Sequence, residues 1–240
     1  WKSYADEMAV LLIHPGGMQI GPIRQIQGSQ RFTLGQTQIL LYYGEPSPYS
    51  PYQEIYLDFL PVRDYVDSGI WTVRLIPQRI VTGRYDMWFP AGGVLNEGTG
   101  FLLPREETTL TIPSTAAKVI TVGAYDARFG QLAGFSGRGF TGNGQVKPDL
   151  AAPGVEISTV NGPYSGSSMA AALTAGACAQ LMQWCVAENN YSRISGRGIQ
   201  TFLSRGAREQ TQEEYPSRRW GYGQLDMRRT FDEIAGNYPE

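Results

Sequence analysis

Histidine and cysteine are nearly absent from this 240-residue chain, which holds one of the first and two of the second. That leaves no Cys/His cluster for a zinc site. No loop with EF-hand spacing offers calcium its oxygen ligands. No G-x-x-x-x-G-K-[ST] loop offers a cradle to a phosphate, since the glycine-rich stretch "GGVLNEGTG" (92–100) lacks the lysine. No cofactor and no metal are expected. An excess of one charge is missing too: 20 Lys and Arg stand against 22 Asp and Glu, for a net charge of −2. Without a basic field nothing attracts nucleic acid. The late arginines, from Arg193 to Arg229, are interleaved with acids and read as a solvated surface. No apolar run reaches the roughly 20 residues that a bilayer requires. The longest, Met169 to Val186, is interrupted by Thr174, Gly176, Gln180 and Gln183, so no membrane span is expected. Cys178 and Cys185 on one helix would be separated by roughly 10.5 Å of rise, beyond the ~7 Å Cα limit of a disulfide, and read as buried thiols. The chain opens on Trp1 rather than Met, so the lack of a signal peptide carries no weight.

What is present falls into two grammars. At 42% hydrophobic residues the chain has material for one large core or two modest ones. Residues 1–104 consist of short apolar or alternating runs, "EMAVLLIHP", "RFTLGQTQILLYY", "EIYLDFLPV", "GIWTVRLIPQRIV" and "GRYDMWFP", punctuated by clusters such as "HPGG" and "GEPSPYSPY". Strands at this spacing with no helical period between them predict an all-β sandwich or jelly roll. In "IWTVRLI" the alternation assigns Trp71, Val73 and Leu75 to the core face and Ile70, Thr72, Arg74 and Ile76 to the other. From residue 105 to 240 the pattern becomes α/β. "TTLTIP", "KVITVGAYD" and "VEISTV" read as strands. A long apolar helix follows, then a second at Gly198 to Ala207 and a terminal one after "WGYGQLDM".

The long helix opens on "YSGSSMAAAL" (164–173), two glycine-flanked serines before a run of small residues. The first turn of a helix has amides without intrahelical partners and a partial positive charge. A serine there can attack a carbonyl while its own N–H donates to the oxyanion that forms. Gly166 before it would permit unusual backbone angles and close approach of a substrate backbone. Serine is also a preferred N-cap, and "SGSS" equally fits capping alone.

"GSSMAAALTAGACAQLM" resembles the nucleophile block of the subtilisin-like serine proteases, the subtilases, whose pattern is Gly-Thr-Ser-Met-Ala followed by small residues and Ala-Gly. Gly166, Ser167, Ser168, Met169 and Ala170 occupy those places, with Ser167 where threonine is usual. "ALTAG" replaces the usual Pro-His-Val-Ala-Gly, keeping only Ala175 and Gly176. "IPSTAAKVITVGAYD" (112–126), "FSGRGFTGNGQVKPDLAAPGVEISTV" (135–160) and "WGYGQLDM" (220–227) resemble further family blocks in the same order. The first hundred residues resemble the jelly-roll insertion of a subgroup from spore-forming bacteria that includes the Csp germination proteases. The resemblance implies a subtilisin-like α/β core, seen here as its C-terminal half, joined to an inserted β domain. It implies Ser168 as the catalytic nucleophile and Gly166, Ser167 and Ser168 as the nucleophile and oxyanion loop. Asp149 in "KPDLAAPG" would be structural.

A serine hydroxyl needs an adjacent base, and in the triad an aspartate orients that base. The family's His and Asp motifs do not occur here. His14, in "LIHPGG", reads as a turn or surface histidine, Asn96 as a turn residue, and Asp126 and Asp226 as turn and cap residues. The resemblance thus implies a serine endopeptidase whose His and Asp come from upstream sequence. Its partners would be a peptide or protein substrate and the N-terminal half of its own protease domain. The chain alone would be inactive. Its setting would be extracellular, cell-surface or spore-associated. The alternative is a non-catalytic pseudoprotease or regulatory module of the same fold. A third reading makes Tyr42, Tyr43, Tyr49, Tyr52, Trp71 and Trp88 a binding platform on the β half, against ordinary core packing of those rings.

Overall fold

The computed structural model describes residues 1–26, 28–45, 47–50, 52–90 and 94–236. Gly92 and Gly93 of the glycine-rich stretch, and Pro46 and Pro51 of "GEPSPYSPY", lie outside them. The chain divides into two compact units, Trp1–Gly100 and Phe101–Glu240.

The first unit is a sandwich of two three-stranded antiparallel sheets. In chain order its strands are β1 (Lys2–Ser3), β2 (Glu7–Ile13), β3 (Gln19–Ile23), β4 (Gly28–Leu34), β5 (Thr37–Tyr43), β6 (Tyr52–Gln53), β7 (Ile55–Pro61) and β8 (Thr72–Arg79). One sheet runs β3-β2-β8 and the other β4-β5-β7, while β1 and β6 form a short pair. Alternation decides which residues turn inward. Along β5, Thr37, Ile39, Leu41 and Tyr43 are all buried and the residues between them are not. They meet Val10, Leu12 and Ile23 of the facing sheet in one apolar core, and Trp71, Val73 and Leu75 pack on it as the pattern predicts. Tyr43 is fully buried and its hydroxyl donates to the Ile23 carbonyl at 3.1 Å, which satisfies the one polar atom that burial would strand. Burial pushes its phenol up to about 12. Tyr43 and Trp71 are thus core rings, and the six aromatics do not form one exposed platform. "GRYDMWFP" forms no strand; Tyr85 makes a single bridge to Lys2.

His14 is buried rather than a surface residue. Its Nδ1 accepts from the Gly16 amide at 2.8 Å and its Nε2 meets Asp67 Oδ2 at 3.0 Å. The same carboxylate oxygen accepts from the Gln36 amide at 2.7 Å and from Thr37 Oγ1 at 3.0 Å. With both ring nitrogens engaged in joining three loops, His14 is a structural clasp.

The second unit carries β9 (Val122–Asp126), β10 (Gln131–Leu132), β11 (Leu150–Pro153), β12 (Ile157–Thr159) and β13 (Gly162–Tyr164). Its helices are α1 (Ser167–Met182), α2 (Gly196–Arg205) and α3 (Met227–Ala235). β9 and β11 are parallel neighbours in the sheet β10-β9-β11, and β12 and β13 form a hairpin. "TTLTIP" contains no strand: Thr109 instead donates its amide to the Arg138 carbonyl at 2.8 Å. "KVITVGAYD" is strand only from Val122, because the Thr121 amide and carbonyl are both taken by Asp149.

Helix α1 is apolar on every side but buries one stripe, Ala170, Thr174, Ala177 and Leu181, against β9 and β11. The Thr174 hydroxyl donates to the Ala170 carbonyl at 2.9 Å, so the stripe carries no unsatisfied polar atom. A π-helical turn, Gln183–Ala187, prolongs α1 and buries Cys185. The two together form a helix of 21 residues, Ser167–Ala187, long and apolar enough to cross a membrane, which corrects the length read from the sequence. Its buried residues are confined to the stripe on β9 and β11 and to Cys185. Cys178 and Cys185 are both free, and burial raises both thiols above their usual range. α2 begins under a Ser195 cap and α3 under an Asp226 cap, whose carboxylate accepts from the Arg229 amide at 3.0 Å.

Candidate active site

The site is built from the sheet upward. Lys147 and Asp149, both almost wholly buried, pair at 2.7 Å. Asp149 also accepts from the Thr121 amide at 2.6 Å and from Gln200 Nε2 at 2.5 Å, and Lys147 donates to the Val119 carbonyl at 2.5 Å. This one carboxylate therefore joins the entry of β9, the entry of β11 and helix α2. Ser136 of "FSGRG" accepts from the Ala124 amide at 2.9 Å and so anchors that loop on β9. The "GYG" turn runs beside β11: Ala151 N donates to Gly223 O at 2.9 Å and Leu225 N to Ala151 O at 2.7 Å.

Gly154 follows the last residue of β11 and is the point where the nucleophile loop attaches. The Gly166 amide donates to the Gly154 carbonyl at 2.8 Å. A Cβ at residue 154 would stand 2.7 Å from the Ala124 Cβ and 3.0 Å from the Gly166 carbonyl, so only glycine admits this approach.

Gly166 is the N-cap of α1, and neither serine caps the helix through its side chain. Ser167 and Ser168 are the first two helical residues, and both are exposed. The capping explanation for "SGSS" therefore fails. Gly166 has φ 163°, extended backbone open to any residue, so unusual angles are not its reason either. A Cβ there would lie 3.1 Å from Ser168 Oγ, a tight contact that a small shift of the exposed hydroxyl relieves. Among the described residues the Ser168 amide and hydroxyl have no hydrogen-bond partner. No acidic residue occupies the first turn, so the partial positive charge of the helix end stays uncompensated.

A cavity of about 370 Å³ opens beside this point, lined by Ser167, Ser136, Phe135, Thr111, Ser114 and Arg138 among others, though not by Ser168 itself. The Arg138 guanidinium pairs with Glu106. Past the loop, Arg128 forks onto Asp126, which it holds below the usual carboxylate range, and also pairs with Glu156. The second unit contains no histidine at all, since His14 is the chain's one histidine. Asp126 accepts from the Arg128 amide at 2.9 Å, a turn role, and Asn96 accepts from the Thr99 amide in another turn. Asp149 takes the structural role expected of it and Asp226 caps α3, while the anchoring contacts of Ser136 and Gly154 carried no sequence signal. Those are small residues whose function is defined only by what they touch. Among the described residues no group of three or more His, Cys, Asp or Glu side chains is placed to hold a metal ion.

Comparison with known proteins bears on the same elements. The Subtilase family model matches residues 102–223, about half of the chain. The CspB protease of Clostridium perfringens has a similar structure, with a TM-score of 0.86 at 33% identity over 98% of this chain and 50% of that one. The serine protease AprX of Bacillus subtilis is 34% identical over 103 residues, which cover 32% of this chain and 23% of AprX. An uncharacterized protein of Aquifex aeolicus is 34% identical over 102 residues, covering 31% of this chain and 46% of its own. The chain thus spans half or less of the length of each of these relatives. With the family model matching half of the chain and a protease of similar structure covering 98% of it, this chain belongs to the subtilase family.

Proposed function

We propose that this chain is the nucleophile-bearing portion of a serine endopeptidase, with Ser168 as the residue acylated by the substrate. The observation that carries this reading is the first turn of α1, where an exposed hydroxyl stands next to a free amide at an uncompensated helix N-terminus. Ser168 Oγ attacks the scissile carbonyl carbon and its proton passes to an imidazole. The oxyanion accepts from the Ser168 N–H, within the field of the helix end. Collapse expels the amine, which takes the proton from the imidazolium, and water then releases the acyl group by the same steps in reverse. The imidazole and the aspartate that orients it belong to the part of the protein outside these 240 residues. Family membership and the 50% span of the CspB chain support that assignment. The apolar flank of α1, where Leu173 is 42% and Met182 48% exposed, supports the N-terminal half of the protease domain as its cover.

The test is labelling of the complete protein with a fluorophosphonate. Wild type is expected to label and Ser168→Ala not to, while the 240-residue chain alone shows negligible peptidase activity. A folded complete protein that resists the label would favour the pseudoprotease reading instead, and robust turnover by the isolated chain would overturn the need for outside residues.

A further inference from the structure

The loop that delivers the nucleophile is tied down twice, and the second tie is a side chain. The first is the backbone bond from Gly166 N to Gly154 O, at 2.8 Å. The second runs from the Glu156 amide to Ser165 Oγ, at 2.9 Å. These two bonds join residues 154–156, just past β11, to the two residues that precede the first turn of α1. We propose that Ser165 is a positioning residue for the nucleophile, holding the start of α1 in register through the Glu156 amide. The proposal rests on the peptidase reading above.

Three observations favour positioning over decoration. A helix N-terminus frays unless its flank is held, and α1 has no side-chain cap of its own. Glu156 has φ 50°, the left-handed region that a non-glycine residue keeps only where its surroundings fix it. What fixes it is its amide on Ser165 and its carboxylate on Arg128. Arg128 in turn grips Asp126, the last residue of β9, with Nε at 3.1 Å from one oxygen and Nη2 at 2.8 Å from the other. A continuous path therefore runs from the end of β9 through Arg128, Glu156 and Ser165 to Ser168. Arg128 and Glu156 are about half exposed, so salt screens their pair. The hydroxyl bond is the firmer link.

The experiment compares Ser165→Ala, Ser165→Thr and Arg128→Gln with wild type. Fluorophosphonate labelling of the complete protein is read as maximal rate and half-saturating concentration. Loss of one neutral hydrogen bond corresponds to about 3- to 10-fold. Ser165→Ala is expected to lower the maximal rate by that factor with the half-saturating concentration unchanged, and Ser165→Thr to restore it. Arg128→Gln should lower the rate less, and more weakly still at high salt. Hydrogen exchange at the Glu156 amide should quicken in Ser165→Ala and stay protected in Ser165→Thr. A wild-type rate in Ser165→Ala overturns the proposal, as does a change confined to the half-saturating concentration. If wild type fails to label, the peptidase reading falls. The Ser165 tie is then decided by exchange alone, and unchanged Glu156 protection in Ser165→Ala overturns it.

Discussion

Asp149→Ala should unfold the second unit far more readily than its small change in volume suggests. Asp149 is 2% exposed and accepts from three donors, the Thr121 amide, the Lys147 ammonium and the Gln200 amide. Its removal leaves the Lys147 ammonium, also 2% exposed, with only the Val119 carbonyl as a described partner. Breaking a buried pair by deleting one member costs about 3–5 kcal/mol, because the surviving charge stays desolvated. With a urea slope of about 2 kcal/mol/M, the midpoint should fall by about 1.5–2.5 M. Urea unfolding read on the indole resonances of Trp184 and Trp220 reports on the second unit alone. Lys147→Met by itself strands the carboxylate with two donors, while Lys147→Met with Asp149→Ala strands no charge. The double variant should therefore be more stable than Asp149→Ala, with a coupling of at least about 2 kcal/mol. A cost below about 1 kcal/mol for Asp149→Ala, or additive single effects, would refute the pinning role.

Two further substitutions and one titration bear on other parts of the fold. Gly206→Ala would place a Cβ 2.4 Å from the Thr230 Cα, so α2 and α3 must separate; overpacking of this kind costs about 1–3 kcal/mol or more. Gly176→Ala, where a Cβ meets nothing within 4 Å, should instead stabilise α1 by up to about 1 kcal/mol in the chain alone. Thermal unfolding of the two variants checks both signs, and equal midpoints would contradict the packing described. Asp67 is held below its ordinary value of 3.8, first by the hydrogen bond from His14 and then by the Gln36 amide and the Thr37 hydroxyl, against desolvation. A depressed carboxyl stabilises the folded state above the unfolded value and loses that contribution as pH falls through the folded one. The first unit should therefore weaken below about pH 4, and Asp67→Asn should flatten that dependence. Urea midpoints between pH 7 and 3, read on the Trp71 indole, test it.

Much of this was legible in the residues because its signals are local. Alternation in "IWTVRLI" names the core face of β8 because a strand turns successive side chains to opposite sides. The serine pair before an alanine run marks a helix mouth, since small residues and free amides belong to the same turn. Where backbone groups are claimed by distant partners, local pattern fails. "TTLTIP" has the composition of a strand, yet Thr109 spends its amide on Arg138, 29 residues on. "GRYDMWFP" has the aromatics of a strand but one bridge. Gly166 reads as a backbone necessity, yet its φ of 163° is extended backbone that any residue adopts.

Sequence by itself determined the two kinds of architecture, the family blocks and the serine at the helix start, because each depends on residue type and short spacing. Tertiary structure alone decided that Ser168 is exposed and uncapped, that Asp149 binds three elements, and that Gly154, Ser136 and Ser165 hold the loop. Those roles are contacts between segments far apart in the chain, and a hydrogen bond or a shared volume exists only once folding has brought both partners to one place.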